Sequence, residues 1–119
     1  MTHARQVLGR KGEDHAVAYL EEAGLTILDR NWRCPVGELD IVAAEGHHLV
    51  VVEVKTRSSM AFGSPVEAIS PRKVRRLRQT AVRWLEAHGL HAPVIRFDVI
   101  GIRVHGDGAW QVEHVRGFD

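Results

Sequence analysis

The sequence has little of what secreted, membrane-spanning and zinc-binding proteins depend on. Cys34 is its one cysteine, so no disulfide can form within the chain. No apolar run approaches the roughly 20 residues that a membrane-spanning helix needs, and the first residues lack the apolar stretch of a signal peptide. No cysteine and histidine spacing matches a zinc site. We therefore expect a cytoplasmic protein with no membrane association.

Repeats, low-complexity tracts and linkers rich in proline or serine are also missing. With 119 residues, 45% hydrophobic and 26% charged, the composition is that of an ordinary globular domain. A domain of this size buries enough surface to fold without disulfides or metal ions. The sequence predicts one domain over residues 1–119.

Hydrophobic periodicity and turn residues predict seven elements in the order αβββαββ. A helix is predicted over residues 8–24, followed by strands over 25–33, 37–44 and 49–57, a loop over 58–69, a helix from 71 to about 89, and strands over 94–104 and 110–115. Ser70 is the expected N-cap of the second helix, with Pro71 at its first position. This order predicts an α/β fold with a mixed central sheet flanked by helices.

Charged side chains interrupt two strands that are otherwise apolar. Because side chains alternate between the faces of a strand, Glu38 and Asp40 share one face of the second strand with Val42, whereas Leu39 takes the other face with Ile41 and Ala43. In the third strand, Glu53, Lys55 and Arg57 share a face with Val51. A hairpin between the two strands would bring these groups together.

The sequence is compatible with two registers of this hairpin. A turn centred on Glu45-Gly46 places Asp40 opposite Val51 and Glu38 opposite Glu53. A slip of two positions places Asp40 opposite Glu53. In both registers Asp40, Glu53 and Lys55 extend from one face and lie within reach of each other.

Neighbouring carboxylates repel each other unless a cation lies between them. Hard oxygen ligands favour Mg²⁺ or Mn²⁺. Lys55 beside such an ion could position a water molecule and stabilise the charge that develops on a phosphate. Asp40, Glu53 and Lys55 therefore indicate phosphodiester hydrolysis. The competing interpretation is a salt bridge between Lys55 and Glu38 or Glu53 that has only a structural role.

Glu13 lies on the apolar face of the first helix, where a carboxylate needs a partner. It is either a further metal ligand or orienting group, or an acid at the solvent edge beside Arg10 or Lys11.

The second helix carries a cluster of basic residues. Between residues 72 and 83 there are six arginines and lysines and no acid. Arg72, Lys73 and Arg76 lie near the helix N-terminus, where free N–H groups also attract anions, and could contact a phosphate backbone. The alternative is a solvated charged face. Arg57 is a separate candidate for a phosphate contact, and the loop over residues 58–65 could fold over a substrate.

Several of these segments resemble, in order, a family of predicted bacterial endonucleases, the YraN-like family. The matching segments are Gly9-Arg10-Lys11-Gly12-Glu13, Asn31-Trp32-Arg33-Cys34, Gly37-Glu38-Leu39-Asp40, Val52-Glu53-Val54-Lys55-Thr56-Arg57, Phe62-Gly63-Ser64-Pro65, Pro71-Arg72-Lys73 and Arg96-Phe97-Asp98-Val99-Ile100. The resemblance covers nearly the whole chain. That family is similar to the PD-(D/E)xK nucleases and, distantly, to archaeal Holliday-junction resolvases.

The resemblance implies a restriction-endonuclease-like αβββαβ core. It also implies that Asp40, Glu53 and Lys55 are the motif residues, with Leu39 in place of the motif's proline, and that Glu13 is the acid which resolvase-like members carry on the first helix. A homodimer follows from the same likeness, because a junction presents two symmetric cuts.

The first hypothesis is therefore an endonuclease that requires Mg²⁺ or Mn²⁺ and acts on DNA in preference to RNA, including branched or otherwise structured DNA. Asp40, Glu53 and Glu13 would bind the metal, Lys55 would position water, and Glu38 would assist. The expected nucleic-acid contacts are Arg10, Lys11, Arg57, Arg72, Lys73 and Arg76. The alternatives are a nucleic-acid-binding module that keeps the nuclease fold without cleaving, and a structural protein whose charges form salt bridges.

Overall fold

The computed structural model describes residues 2–58, 69–92 and 94–118, with side chains from Leu8 onward except that of Ser58. The described residues form two helices and five strands: α1 (Thr2–Glu22), β1 (Thr26–Cys34), β2 (Gly37–Glu45), β3 (His48–Ser58), α2 (Pro71–His88), β4 (Val94–Val104) and β5 (Trp110–Val115). The order αβββαββ confirms the prediction, although α1 begins at Thr2 rather than at residue 8. The loop expected over a substrate, residues 58–65, lies outside the described residues apart from the Ser58 backbone.

The strands form one mixed sheet in the order β1-β2-β3-β4-β5. β3 and β4 are parallel, and the other neighbouring pairs are antiparallel. A parallel pair needs a crossover, and α2 lies within the chain segment that connects β3 to β4. The predicted α/β fold with a mixed sheet flanked by helices is therefore confirmed.

Both helices end in the same local geometry. Gly24 and Gly89 have positive φ angles of 98° and 61°, which glycine adopts without steric cost. In each case the next residue, Leu25 or Leu90, donates its N–H to a carbonyl five residues earlier, which closes a Schellman motif. At the start of α2, Ser70 accepts the Lys73 N–H at 3.1 Å, so the predicted N-cap is confirmed.

Each face of the sheet carries one hydrophobic cluster. The cluster beneath α1 contains Ala16, Leu20, Leu25, Ile41, Ala43, Val50, Val52, Ile100 and Ile102. The cluster beneath α2 contains Leu39, Val42, Leu49, Val51, Leu77, Ala81, Trp84 and Phe97. Burial of these side chains supplies the main favourable contribution to folding. Within the parts of the chain that the structure describes, no helix is long and apolar enough to span a membrane.

The hairpin between β2 and β3 adopts the second of the two registers that the sequence allows. Glu45 pairs with His48 and Val42 pairs with Val51, so the register that places Asp40 opposite Val51 is wrong. The turn consists of Gly46 and His47, and Gly46 has a φ of 60°. The turn is thus centred one residue later than expected, which shifts the pairing by two positions.

Strict alternation of faces also fails near the start of β2. Leu39 packs beneath α2 together with Val42, whereas Ile41 packs beneath α1. The expectation that Leu39 shares a face with Ile41 and Ala43 is therefore wrong. The paired ladder between β2 and β3 ends at Ile41 and Val52, and the change of face accompanies this separation of the strands.

A cluster of charged residues joins β4 to β5, and its central acid, Asp98, lies in register with Val52 of β3. The carboxylate of Asp98 is fully buried and accepts bonds from Arg96 at 2.9 Å and from the Gly117 N–H at 3.0 Å, with His114 Nε2 at 2.8 Å. Burial opposes ionisation of Asp98, but these three partners outweigh it and lower the pKa of the carboxyl. Arg96 also forms a salt bridge with Glu45 at 2.7 Å. The bonds with His114 and Gly117 join Asp98 on β4 to β5 and to the chain beyond it.

One close contact fixes α1 against β3. A Cβ atom placed at Gly12 would collide with the hydroxyl group of Thr56. Gly9, one helical turn earlier, has no atom near the corresponding position. A residue without a side chain at position 12 therefore allows the helix to approach β3 at the position next to Glu13.

These two glycines form a matched pair for a stability test. We expect Gly12→Ala to destabilise the fold by about 1–3 kcal/mol, because the added methyl group must separate α1 from β3. Gly9→Ala should instead stabilise it by up to about 1 kcal/mol, because alanine favours the helix. Urea unfolding of both variants measures the difference. Equal effects of the two substitutions would contradict the close approach at Gly12.

Candidate active site

The candidate site lies where β2 separates from β3. Beyond Ile41 the two strands no longer pair, which leaves the N–H of Val54 without a strand partner on that side. The Asp40 side chain fills the gap, and its Oδ2 accepts the Val54 N–H at 2.9 Å. Because a backbone N–H needs an acceptor, this bond both satisfies Val54 and fixes the direction of the carboxylate.

Asp40 and Glu53 form the centre of the site. Continuing the register past the Ile41–Val52 pair places these two acids beside each other. Burial raises the pKa of Asp40, the neighbouring charge of Glu53 raises it further, and the result is about 7. The bond from Val54 opposes this shift but is outweighed. Near neutral pH, Asp40 is therefore divided between its neutral and ionised forms.

Two lysines adjoin Glu53. The Glu53 carboxylate is buried and pairs with Lys73 Nζ at 3.2 Å. Burial lowers the pKa of Lys55, and the neighbouring Lys73 lowers it further through a hydrogen bond and through its charge. Burial also opposes the charge on Lys73, but Glu53 and the other neighbouring groups outweigh it, so the pKa of Lys73 is raised. The pair thus combines a stable ammonium with a lysine that loses its proton more readily.

Glu13 lies beside this centre on α1. Its side chain is 12% exposed, and its Oε1 accepts bonds from Arg30 Nη2 at 3.0 Å and from Asn31 Nδ2 at 2.8 Å. Asn31 has a φ of 52°, an unusual conformation for a residue other than glycine. The predicted need for a partner is confirmed, and the partners that the structure shows, Arg30 and Asn31, come from β1. The charge of Glu13 adds to the rise in the pKa of Asp40.

Glu38 occupies the outer edge of the site. Its carboxylate pairs with Arg33 at 2.6 Å, and its side chain is 44% exposed. It is therefore paired with Arg33 rather than with Lys55, which was one of the proposed structural salt bridges. Glu38 also raises the pKa of Asp40, although it contributes less than Glu53.

Two grooves meet at Asp40, one on each side of the sheet. The α1 groove is lined by Leu8, Gly9, Arg10, Glu13, Asn31, Glu38, Asp40, Val54, Thr56 and Arg57. The α2 groove is lined by Gly37, Glu38, Asp40, Glu53, Val54, Lys55, Ser70, Arg72, Lys73, Arg76 and Leu77. Glu38, Asp40 and Val54 line both grooves, because Asp40 fills the gap between the strands.

The structure places most of the predicted basic residues in these grooves. Arg72, Lys73 and Arg76 line the α2 groove beside the acids. Arg10 and Arg57 line the α1 groove. Lys11 is exposed on α1 and lines neither groove. The α2 groove is therefore the more basic of the two, with Lys55 as its fourth cation.

Several residues of the site had no signal in the sequence. Lys73 was expected to contact phosphate, and its bond to Glu53 was not predicted. Arg30 and Asn31 were missed as the partners of Glu13. Gly37 was also missed, although a Cβ there would lie 2.9 Å from the Thr80 hydroxyl, so its lack of a side chain lets α2 approach the site. The buried acid on α1 was a signal for such partners, but not for their identity.

The donor atoms fit a hard divalent cation. A cation between Asp40 and Glu53 would remove the repulsion that raises the pKa of Asp40. Across the residues with described side chains, no three His, Cys, Asp or Glu residues are grouped to hold one metal ion. Two carboxylates are nevertheless sufficient for Mg²⁺, which completes its shell with water and substrate phosphate oxygens.

The raised pKa of Asp40 predicts a specific dependence of stability on pH. Well below pH 3.8 the carboxyl group is neutral in the folded and unfolded states. As the pH rises from there to about 7, the unfolded chain ionises first, so the free energy of unfolding falls. We expect Asp40→Asn to match wild type near pH 4 and to exceed its stability by on the order of 3 kcal/mol at pH 8.

Urea unfolding at pH 4, 6 and 8 measures this difference. Asp107→Asn, in the exposed turn between β4 and β5, is the matched control and should follow wild type. A constant difference between Asp40→Asn and wild type across these pH values would show that Asp40 ionises normally.

Comparison with known proteins identifies close relatives of this chain. Residues 12–102 match the model of the uncharacterised protein family UPF0102. A UPF0102 protein of Beutenbergia cavernae is 52% identical over 114 residues, which cover 96% of this chain and 97% of the relative. A UPF0102 protein of Arthrobacter sp. (strain FB24) is 49% identical with the same coverage, and one of Rhodococcus jostii is 52% identical over 92% of each chain. The chain belongs to the UPF0102 family.

Proposed function

We propose that this protein is a metal-dependent endonuclease that hydrolyses phosphodiester bonds in DNA. The observation that carries the proposal is the pair of acids, Asp40 and Glu53, held together beside Lys55 at the edge of a basic groove. Two carboxylates that repel each other destabilise a fold unless they bind a charged ligand. The same residues carry the resemblance to PD-(D/E)xK nucleases.

Asp40 and Glu53 would hold Mg²⁺ or Mn²⁺. When bound, the ion would supply Lewis-acid activation of the phosphate. The Asp40 carboxylate is already oriented for this role, because the bond from the Val54 N–H fixes its direction. Glu13 as a third ligand remains a prediction, since its Oε1 already accepts bonds from Arg30 and Asn31. Glu38 would assist through its charge from the outer edge.

Lys55 would orient the attacking water and accept its proton. Its position in the α2 groove beside Glu53 would bring its amine to a phosphate bound there. The lowered pKa of Lys55, caused by burial and by Lys73, increases the fraction of neutral amine available for this step. Lys73 would keep Glu53 ionised and, with its charge, attract the phosphate.

The surrounding charges support a nucleic-acid substrate. Arg72 and Arg76 flank the acids in the α2 groove, and Arg10 and Arg57 flank them in the α1 groove. Guanidinium groups on both sides of the reacting position suit a continuous phosphate backbone. Cleavage of branched or structured DNA, preference for DNA over RNA, and a homodimer rest on the resemblance to resolvases.

A nucleic-acid-binding module without cleavage is the second candidate. The ion pair between Lys73 and Glu53 favours it, because Lys73 already neutralises one of the two acids without a metal ion. Such a module should bind DNA equally well in a chelator and in Mg²⁺, with an affinity that depends only on salt.

A cleavage assay tests the proposal. We expect wild type to cut at least one substrate among labelled single-stranded, duplex, flap and four-way-junction DNA when Mg²⁺ or Mn²⁺ is present. Asp40→Asn and Glu53→Gln should remove cleavage, and Lys55→Met should lower its rate at least about 100-fold because water is no longer positioned. Glu86→Gln, an exposed acid on α2, is the control and should cut normally.

The assay separates the two candidates when it is combined with DNA binding and metal titration. Lys55→Met should bind metal and DNA as wild type does, because its role lies in the chemical step. Binding without cleavage of any substrate would favour the second candidate. Metal-dependent cleavage that survives in Asp40→Asn would contradict the assigned site.

A further inference from the structure

A row of polar side chains crosses three strands directly beyond Lys55. Arg57 on β3 pairs in register with Arg103 on β4, and Arg103 pairs with Gln111 on β5. Residues in register on neighbouring strands extend from the same face of a sheet. This face carries α2, since Phe97 packs beneath α2 and lies an even number of residues before Arg103 on the same strand.

The preceding row leads to the candidate active site. Lys55 pairs in register with Gly101, which pairs with Glu113. Because Gly101 has no side chain, a depression lies between the two rows, lined mainly by Lys55, Arg57, Arg103, Gln111 and Glu113. Lys55 lines both this depression and the α2 groove, so these two surfaces are continuous. Arg57, near the end of β3, lines both the depression and the α1 groove.

The donors in this depression suit a phosphate group. Two guanidinium groups, from Arg57 and Arg103, present planar sets of N–H donors that match phosphate oxygens. Gln111 Oε1 lies 3.1 Å from His105 Nε2. Because an amide oxygen can only accept, His105 donates this hydrogen bond. Neither N–H group of the Gln111 amide takes part in it. Glu113 is the acid of the depression and lies in the Lys55 row.

We infer that Arg57, Arg103 and Gln111 form a second phosphate subsite that holds the backbone of the substrate next to the scissile phosphate. The inference rests on the proposed nuclease function and extends it. Two residues along a strand span roughly 6.6 Å, which is the separation of this row from Lys55. The substrate is then a strand that continues past the cut on this side.

Binding and cleavage by paired variants test the subsite. We expect Arg103→Ala to weaken binding of a cleavable DNA about tenfold and to reduce the salt dependence by about one phosphate contact, with kcat changed by less than about twofold. Gln111→Glu keeps the side-chain shape and should weaken binding because it places a charge against the phosphate. Arg83→Ala, an exposed arginine of α2 outside the depression and the grooves, should bind as wild type does.

Truncated substrates distinguish a contact from damage to the fold. Two shortened DNAs are used, one that ends at the scissile position on its 5′ side and one that ends there on its 3′ side. Binding of each is measured by fluorescence anisotropy in a chelator. One truncation should remove the difference between wild type and Arg103→Ala, whereas the other should preserve it. A tenfold difference that persists with both truncations would overturn the subsite.

The result also separates this inference from the proposed function. If wild type cuts DNA and Arg103→Ala and Gln111→Glu behave like Arg83→Ala, the nuclease stands and the subsite is wrong. If wild type neither binds nor cuts any DNA in chelator or in Mg²⁺, the proposed function fails and the subsite fails with it.

Discussion

Repulsion between the carboxylates of Asp40 and Glu53 is the constraint to which the rest of the site responds. The sheet brings the two acids together because β2 leaves β3 after Ile41, and the Asp40 side chain fills the resulting gap. Burial and the charge of Glu53 then raise the pKa of Asp40 to about 7. Lys73 offsets part of this repulsion through its ion pair with Glu53. The hydrophobic clusters on both faces hold the strands in place despite this cost.

The buried acids Asp98 and Asp40 differ in how far their surroundings compensate the charge of the carboxylate. Asp98 is surrounded by donors, including Arg96, and these partners hold its pKa below the ordinary value. Asp40 is buried as well, but among the residues that the structure describes only the backbone N–H of Val54 donates a hydrogen bond that opposes the rise in its pKa. An acid whose neighbours leave it partly protonated at neutral pH is better suited to bind a cation than an acid whose charge is already compensated.

Much of the fold could be predicted because local signals agree with it. Glycines at positive φ end both helices, Ser70 and Pro71 begin α2, and alternating apolar residues mark the strands. The hairpin register could not be settled, because moving the centre of the turn by one residue shifts the pairing by two and keeps the same side chains on each face. Only the geometry distinguishes the two registers.

The composition of the site was predicted better than its contacts. Charged residues in apolar strands identify Asp40, Glu53 and Lys55, since such residues are costly without a purpose. The bond of Lys73 to Glu53 depends on how α2 crosses the sheet, and that crossing cannot be predicted from the residue spacing. The failure of face alternation at Leu39 also could not be predicted from the residue spacing. It occurs where β2 separates from β3.

The proposed function depends on Asp40 and Glu53 acting as a pair of acids poised for a divalent cation. Titration of the Asp40 carboxyl carbon by NMR, with and without saturating Mg²⁺, tests this dependence most directly. We expect a pKa of about 7 without metal and a fall below the ordinary value of about 3.9 when Mg²⁺ is bound. A pKa of about 4 in the absence of metal that Mg²⁺ leaves unchanged would contradict it.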